Sequence, residues 1–127
     1  MSLVATATRL AAAGSVIAAA PGLAVTLVAP GHSPKINTHW NYSVKAYKAG
    51  KPASAEITAQ IVDPIGGVHP VAFGLTTRNI TSFPFTGTFK DFVIWPATAR
   101  GIPLTFRLTI VSGKSKRVVN YIVTAHG

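Results

Sequence analysis

The sequence predicts an all-β fold, an antiparallel sandwich of about seven strands. Apolar residues occupy every second position from Leu104 to Ile110 and again from Val119 to Val123. This alternation is typical of half-buried strands. A polar turn carrying Gly113 separates the two segments, which indicates a β-hairpin. No stretch after residue 24 keeps the 3.6-residue period of a helix.

The remaining strands follow from the same alternation and from the turn residues that bound each segment. In chain order, strands are predicted at 23–30, 39–48, 55–61, 68–75, 87–95, 104–110 and 119–123. Residues 31–38 are a predicted loop, and Thr76 to Pro84 is a longer turn-rich stretch. A two-stranded hairpin cannot bury its own apolar face, so the upstream strands must supply a second layer.

The first 24 residues are predicted to be a signal peptide or a hydrophobic anchor, followed by one β-sandwich domain over 25–127. Arg9 precedes an apolar, alanine-rich run that ends at Ala20, and small residues follow, which is the order found in secretory signals. Cleavage after Ala20 or Ala24 would meet the small-residue requirement. The alternative is an uncleaved membrane anchor over Leu10 to Val28. The predicted localisation is therefore secreted or at the cell surface.

The charge balance is strongly basic, with 12 lysines and arginines against three acids and a net charge of +9. These basic residues are dispersed, apart from a tight group at 114–117. Nucleic-acid-binding proteins usually concentrate such charge on one face, so no specific nucleic-acid partner is predicted. Cysteine is absent, which excludes thiolate catalysis and cysteine-ligated metal sites.

The sequence predicts no enzyme, no catalytic residue and no cofactor. Paired-carboxylate catalysis needs two acids that flank one bond. Asp63 precedes Pro64 in a predicted turn, and Asp91 is expected to point outward from the middle of a strand. No Gly-x-Ser-x-Gly segment and no glycine-rich phosphate loop are present.

Histidines are the only candidate metal ligands. His32, His39 and His69 are kept as candidates for an alternative function, the binding of copper or another metal, although their spacing matches no metal motif. His126 stands beside the C-terminus, where disorder is expected. The prediction is that no metal is bound.

The aromatic residues are mostly in phase with the aliphatic ones on the predicted strands and are therefore expected in the core. Phe83 and Phe85 flank Pro84 in a predicted loop, so we expect them to be exposed contact residues. They support a further alternative, the binding of a carbohydrate or an anionic polymer.

Several short motifs together resemble the immunoglobulin-like and fibronectin III-like modules of exported bacterial proteins, over roughly residues 23–125. The motifs are Trp40, Gly50-Lys51-Pro52-Ala53, Gly87-Thr88-Phe89, Ile94-Trp95-Pro96-Ala97 and Gly101-Ile102-Pro103-Leu104-Thr105-Phe106. The resemblance implies a Greek-key sandwich used for display, spacing or adhesion, with no common catalytic residues. The sequence also resembles, more weakly, the small copper-carrying sandwiches of the periplasm. It does not contain an Asp-x-His motif of the kind they use.

These observations predict a non-catalytic, secreted or cell-surface module with a structural or interaction role. Its expected partner is a protein or a surface polymer, and membrane contact is expected only through an uncleaved N-terminal segment.

Overall fold

The computed structural model describes residues 15–19, 22–71, 73 and 82–127. Within them the chain forms strands and one short 3₁₀ turn, Ala97–Ala99. The strands are β1 (Ser15–Ala19), β2 (Ala24–Val28), β3 (His39–Lys48), β4 (Lys51–Pro52), β5 (Ser54–Val62), β6 (Val68–Pro70), β7 (Ser82–Thr86), β8 (Thr88–Ile94), β9 (Pro103–Ser112) and β10 (Ser115–Thr124). In this part of the chain, no helix has the length and apolar character needed to cross a membrane.

The strands form two sheets, and every strand pairing described is antiparallel. In sheet A, β1 pairs with β2 and β2 with β3, and β3 also pairs with β8 and the short β4. In sheet B, β10 pairs with β9 and β9 with β5, and β5 also pairs with β6 and β7. The predicted all-β architecture of two packed antiparallel sheets is confirmed.

The core lies between the two sheets because each long strand turns alternate residues inward. Trp40 on β3 is at the centre: its ring centroid lies 5.4 Å from that of Phe106 on β9 and 5.8 Å from that of Tyr121 on β10. Trp95, directly after β8, meets Trp40 edge to face at 5.5 Å. These contacts join the sheets through aromatic rings that are almost completely buried.

Most predicted strands are present, and the differences lie in two segments. The strand predicted over 68–75 is described only as the short β6, Val68–Pro70. β7 occupies the end of the stretch predicted as a turn, because its backbone pairs with β5. β1 lies inside the segment predicted to be a signal peptide or anchor and pairs with β2. Residues 1–14 and 20–21 are outside the described residues, and the signal or anchor remains a prediction.

The orientation expected for Asp91 is wrong. Asp91 shares the inner face of β8 with Phe89 and Val93, and it is buried. It lies opposite Tyr42 on β3, whose hydroxyl donates a hydrogen bond to it. Desolvation by burial, followed by the charge of Asp91, raises the pKa of Tyr42 far above its ordinary value.

The end of the chain, which was expected to be disordered at His126, is hydrogen-bonded on both sides. The His126 N–H donates to the Pro34 carbonyl over 2.9 Å, and the His126 carbonyl accepts from the Ile36 N–H over 2.8 Å. On the other side, the Gly101 N–H donates to the Ala125 carbonyl over 2.9 Å. Residues 125 and 126 therefore lie between two loops as a short extended segment.

Replacing Phe106 by alanine is expected to lower the free energy of unfolding by about 3–5 kcal/mol, because the ring is fully buried against Trp40 and Tyr42. Urea unfolding followed by tryptophan fluorescence measures this loss. Ile122→Ala is the matched control, since that side chain is 60% exposed on the neighbouring strand. Equal losses in the two variants would contradict the inward orientation of Phe106.

Replacing Tyr42 by phenylalanine is expected to destabilise the fold by about 1–3 kcal/mol, because it removes a buried donor to Asp91. The control is Tyr47→Phe, on the same strand but only half-buried. Both are compared by urea unfolding at neutral pH. If Tyr42→Phe were no less stable than Tyr47→Phe, the Tyr42–Asp91 hydrogen bond would contribute nothing to stability.

Candidate functional site

A cleft of about 640 Å³ opens at one end of the two sheets. One wall is the turn between β5 and β6, and the other is the connection between β8 and β9. Most of its lining is apolar: Ile61, Pro64, Ile65, Pro70, Val71, Trp95, Pro96, Ala99, Ile102 and Leu104. We call this the end cleft. Concave sites with mostly apolar walls and a few polar groups are the usual form of ligand sites.

The first wall is a tight turn organised by Asp63. One carboxylate oxygen, Oδ1, accepts hydrogen bonds from the backbone N–H groups of Ile65, at 3.0 Å, and Gly67, at 2.7 Å. Gly66 has a φ of 88°, a conformation that favours glycine. A Cβ at Gly67 would overlap the Asp63 carboxylate, so a larger residue there would displace the group that accepts the two hydrogen bonds of the turn. The turn therefore holds Ile65 outward, 94% exposed, at the rim.

The second wall begins at Trp95 and runs through a 3₁₀ turn. The Ala99 N–H donates to the Pro96 carbonyl over 2.9 Å, and the Ile102 N–H donates to the Ala99 carbonyl over 3.1 Å. This compact connection leaves Ile102 39% exposed beside the cleft, whereas Trp95 is fully buried at its base. The wall is thus short and held by its own backbone hydrogen bonds.

The ionisable groups of the end cleft are a histidine and an aspartate, and Thr98 adds a hydroxyl group. His69 Nε2 lies 2.8 Å from Asp63 Oδ2, and the imidazole is largely exposed. The hydrogen bond with His69, followed by that from the Gly67 N–H, holds the pKa of Asp63 below its ordinary value. The carboxylate therefore orients the imidazole at the rim while it also closes the turn.

A buried donor without a partner belongs to the same cleft. The indole N–H of Trp95 is buried and makes no hydrogen bond within the described part of the chain. The other tryptophan differs, because the Trp40 N–H donates to the Gly31 carbonyl over 3.1 Å. A buried polar group without a partner is uncommon and costs about 1–3 kcal/mol. Trp95 is therefore the side chain of the cleft whose hydrogen bonding is incomplete.

The structure does not bring the three candidate histidines together. His32 stacks on Tyr121 with ring centroids 4.1 Å apart, and His39 stacks on Phe92 at 4.0 Å on the outer face of sheet A. His69 is in the end cleft. Among the described residues, no group of three or more His, Cys, Asp or Glu side chains could hold a metal ion.

Phe83 and Phe85 lie on a strand and not in the predicted loop. Both are half-buried on β7, where they lie opposite Ile57 and Ala55 of β5. Each ring centroid is 5.6 Å from that of Phe89. The two rings are therefore less exposed than the sequence predicted, because they pack against the edge of the core.

The sequence-based prediction did not find the end cleft. Two local signals were available: an aspartate that begins a Pro-Ile-Gly-Gly turn, and an isoleucine at the tip of that turn, where polar residues are usual. The second wall comes from a segment about thirty residues further along the chain. No local pattern connects the two walls.

Comparisons with known proteins give a similar fold and no family. No protein-family model matches the sequence, and no curated protein matches it. The structure is similar to a DUF4426 family protein from Pseudomonas aeruginosa PAO1, with a TM-score of 0.52 and 16% identity, over 86% of this chain and 92% of that one. It is also similar to a DUF4466 family protein from Parabacteroides merdae ATCC 43184, with a TM-score of 0.47 and 14% identity. That match covers 83% of this chain and 44% of the other.

Replacing His69 by alanine is expected to raise the pKa of Asp63 toward its ordinary value of 3.8, because the largest cause of its lowering is removed. Carboxyl ¹³C NMR over a pH titration measures this change. Since the pKa of Asp63 is lower in the folded state, its ionisation stabilises the fold above about pH 4, and this contribution is lost as the pH falls through the folded-state value. His32→Ala, far along the chain, is the control; an unchanged Asp63 pKa in His69→Ala would contradict the pair.

Proposed function

We propose that the protein is a non-catalytic, secreted or cell-surface interaction module with an immunoglobulin-like sandwich. In this proposal the end cleft binds a short apolar segment of a partner protein. The observation that carries the proposal is the cleft itself, with apolar walls and a fixed His69–Asp63 pair at its rim.

The strand order supports the immunoglobulin-like assignment. Adjacent strands β2, β3 and β8 belong to sheet A, and β10, β9 and β5 belong to sheet B. Immunoglobulin-like sandwiches divide their strands in the same way, with the first, second and fifth in one sheet and the third, sixth and seventh in the other. The two divisions agree for six strands when β2, β3, β5, β8, β9 and β10 are counted as the first, second, third, fifth, sixth and seventh. They differ at the fourth position, because β6 and β7 pair with β5 in sheet B and the fourth strand of a constant-type domain lies in the other sheet. The proposed location outside the cytoplasm rests on the sequence of residues 1–24.

Exposed aliphatic side chains beside the end cleft support a protein partner. Ile65, Val68 and Ile102 are 94%, 46% and 39% exposed, and all belong to the two walls or to the strand β6 that follows the first wall. Grouped exposed apolar residues with a polar rim are typical of protein-binding surfaces. The apolar walls would bury the partner's side chains, and the His69–Asp63 pair would orient a polar group of its backbone.

The chemistry of the cleft supports binding more than catalysis. His69 and Asp63 form a base and its orienting acid, but a hydrolytic triad also needs an activated nucleophile. The chain has no cysteine, and Thr98 is the hydroxyl side chain among the described lining residues.

The test uses N-acetyl-leucine amide as a minimal apolar peptide probe in ¹⁵N NMR titrations. We expect saturable shifts of the backbone amides at 63–71 and 95–104, with an affinity of about millimolar, as a fragment of this size allows. The indole N–H of Trp95 should shift more than that of Trp40, because only Trp95 lines the cleft.

The double variant Ile65→Gln/Ile102→Gln is expected to weaken this binding at least about fivefold, since it removes two apolar contacts at the rim. Its matched control is Val118→Gln/Ile122→Gln, two exposed aliphatic residues on the outer face of sheet B. Shifts confined to that outer face, or equal weakening in the two double variants, would contradict a site in the end cleft.

A further inference from the structure

The outward-facing residues of sheet A carry positive charge and include no acidic side chain among the described residues. Of the three acids in the chain, Glu56 is exposed on β5 in sheet B, Asp63 closes the turn of the end cleft, and Asp91 is buried between the sheets. Lys45 on β3 and Lys90 on β8 are both exposed on the outer face of sheet A. We call this surface the lysine face, defined by the outward residues of β2, β3 and β8.

The strand register brings the two lysines close to each other. Ser43 lies opposite Lys90, and Lys45 lies opposite Thr88, so the lysines are diagonal neighbours on adjacent strands. Such diagonal pairs have Cβ atoms about 7–8 Å apart, within reach of long side chains. Two like charges at this separation repel each other, and an anion bound between them would be attracted to both, which offsets the repulsion.

A shallow groove runs across the same surface. It has a volume of about 640 Å³, and its lining residues are Val28, Ala29, Pro30, Asn41, Tyr42, Ser43, Lys90, Asp91 and Phe92. Asp91 and Tyr42 are buried and hydrogen-bonded to each other, so Lys90 is the exposed charged side chain of this lining. Lys90 stands beside the polar side chains of Asn41 and Ser43, and Thr26 and Thr88 continue the polar surface on either side of Lys45. The groove shares no lining residue with the end cleft. It therefore forms a second, separate concave surface.

We propose that the lysine face binds an acidic polysaccharide. Lys45 and Lys90 would bind carboxylate or sulfate groups, and the amide of Asn41 with the hydroxyl of Ser43 would bind sugar hydroxyls. The proposal does not depend on the occupant of the end cleft. Among the described residues, no acidic side chain points outward from this face, and Asp91 in the groove lining is buried and hydrogen-bonded to Tyr42. The two exposed lysines therefore provide the charge complementarity that a polyanion needs.

The aromatic residues of the lysine face favour a sugar polymer over a nucleic acid. Single-stranded nucleic acids bind by stacking their bases on open aromatic rings. Phe92 is half-buried, and its ring is stacked against that of His39 with an interplanar angle of 4°. Tyr47, the other aromatic residue on the outer side of β3, is also half-buried. The described surface thus presents two cations and hydrogen-bonding groups, and its two carbocyclic aromatic rings are only partly exposed.

The experiment compares two double variants that lose the same charge. Lys45→Gln/Lys90→Gln removes the two cations of the lysine face, and Lys114→Gln/Lys116→Gln removes two exposed cations at and after the turn between β9 and β10. Binding of polygalacturonate and heparin oligosaccharides is measured by isothermal titration calorimetry at low salt. Neutral dextran and a single-stranded DNA oligonucleotide of matched charge are the comparison ligands.

We expect the wild-type protein to bind at least one acidic polysaccharide and not dextran. Lys45→Gln/Lys90→Gln should lower that affinity about tenfold, and Lys114→Gln/Lys116→Gln by no more than about twofold, because local contacts and not net charge hold the polymer. Equal losses in the two variants would overturn the proposal in favour of net charge alone. DNA binding of equal or greater strength with the same dependence on Lys45 and Lys90 would overturn it in favour of a nucleic acid. Failure to bind either polysaccharide would also overturn it.

Discussion

The packing of Trp40 against Phe106 is the contact on which the two-sheet structure depends. The rings meet edge to face at an interplanar angle of 88°, and Trp95 meets Trp40 in the same manner at 79°. Since the chain has no cysteine, no disulfide joins the sheets, and buried apolar surface has to hold them together. The Trp40 N–H reaches the Gly31 carbonyl, so the ring is buried without losing its hydrogen bond.

This central packing also places both candidate surfaces. Trp95 is buried beneath the end cleft and contacts Trp40 on its other side, so the base of the cleft is part of the core. The lysine face is the reverse side of the strands that carry Trp40 and Phe89 inward. Successive side chains along β3 and β8 point to opposite faces of the sheet. One set therefore forms part of the core, and the other set forms the lysine face.

The alternation of residues predicted the long strands well, because it reflects burial directly. The two-residue period also places Asp91 on the same side as Phe89 and Val93, and the outward prediction failed because charge was given more weight than register. Tyr42 supplies the hydrogen bond that makes this burial tolerable. β7 was missed for a different reason: its strand conformation comes from pairing with β5, which lies far away in the sequence.

The candidate site was less predictable than the fold. The turn at Asp63 follows from Asp-Pro and two glycines, but the partnership with His69 needs the hairpin pairing of Val62 with Val68 to bring the residues together. The walls of the end cleft meet only after both sheets have packed. The sequence alone can therefore predict the turn that forms each wall, but it cannot show that the two turns line the same cleft.

The hydrogen bonds around residues 124–126 have a mechanical consequence. Thr124 and His126 donate to the carbonyls of His32 and Pro34, and Ala125 accepts from Gly101 on the other side. The bridges of this segment to Lys35 and Arg100 are parallel, so a tensile load applied at the end of the chain acts along the paired segments. Such a load shears several bonds at once and does not open them one by one. Pulling residues 124–126 away from the two loops would therefore require these hydrogen bonds to break together.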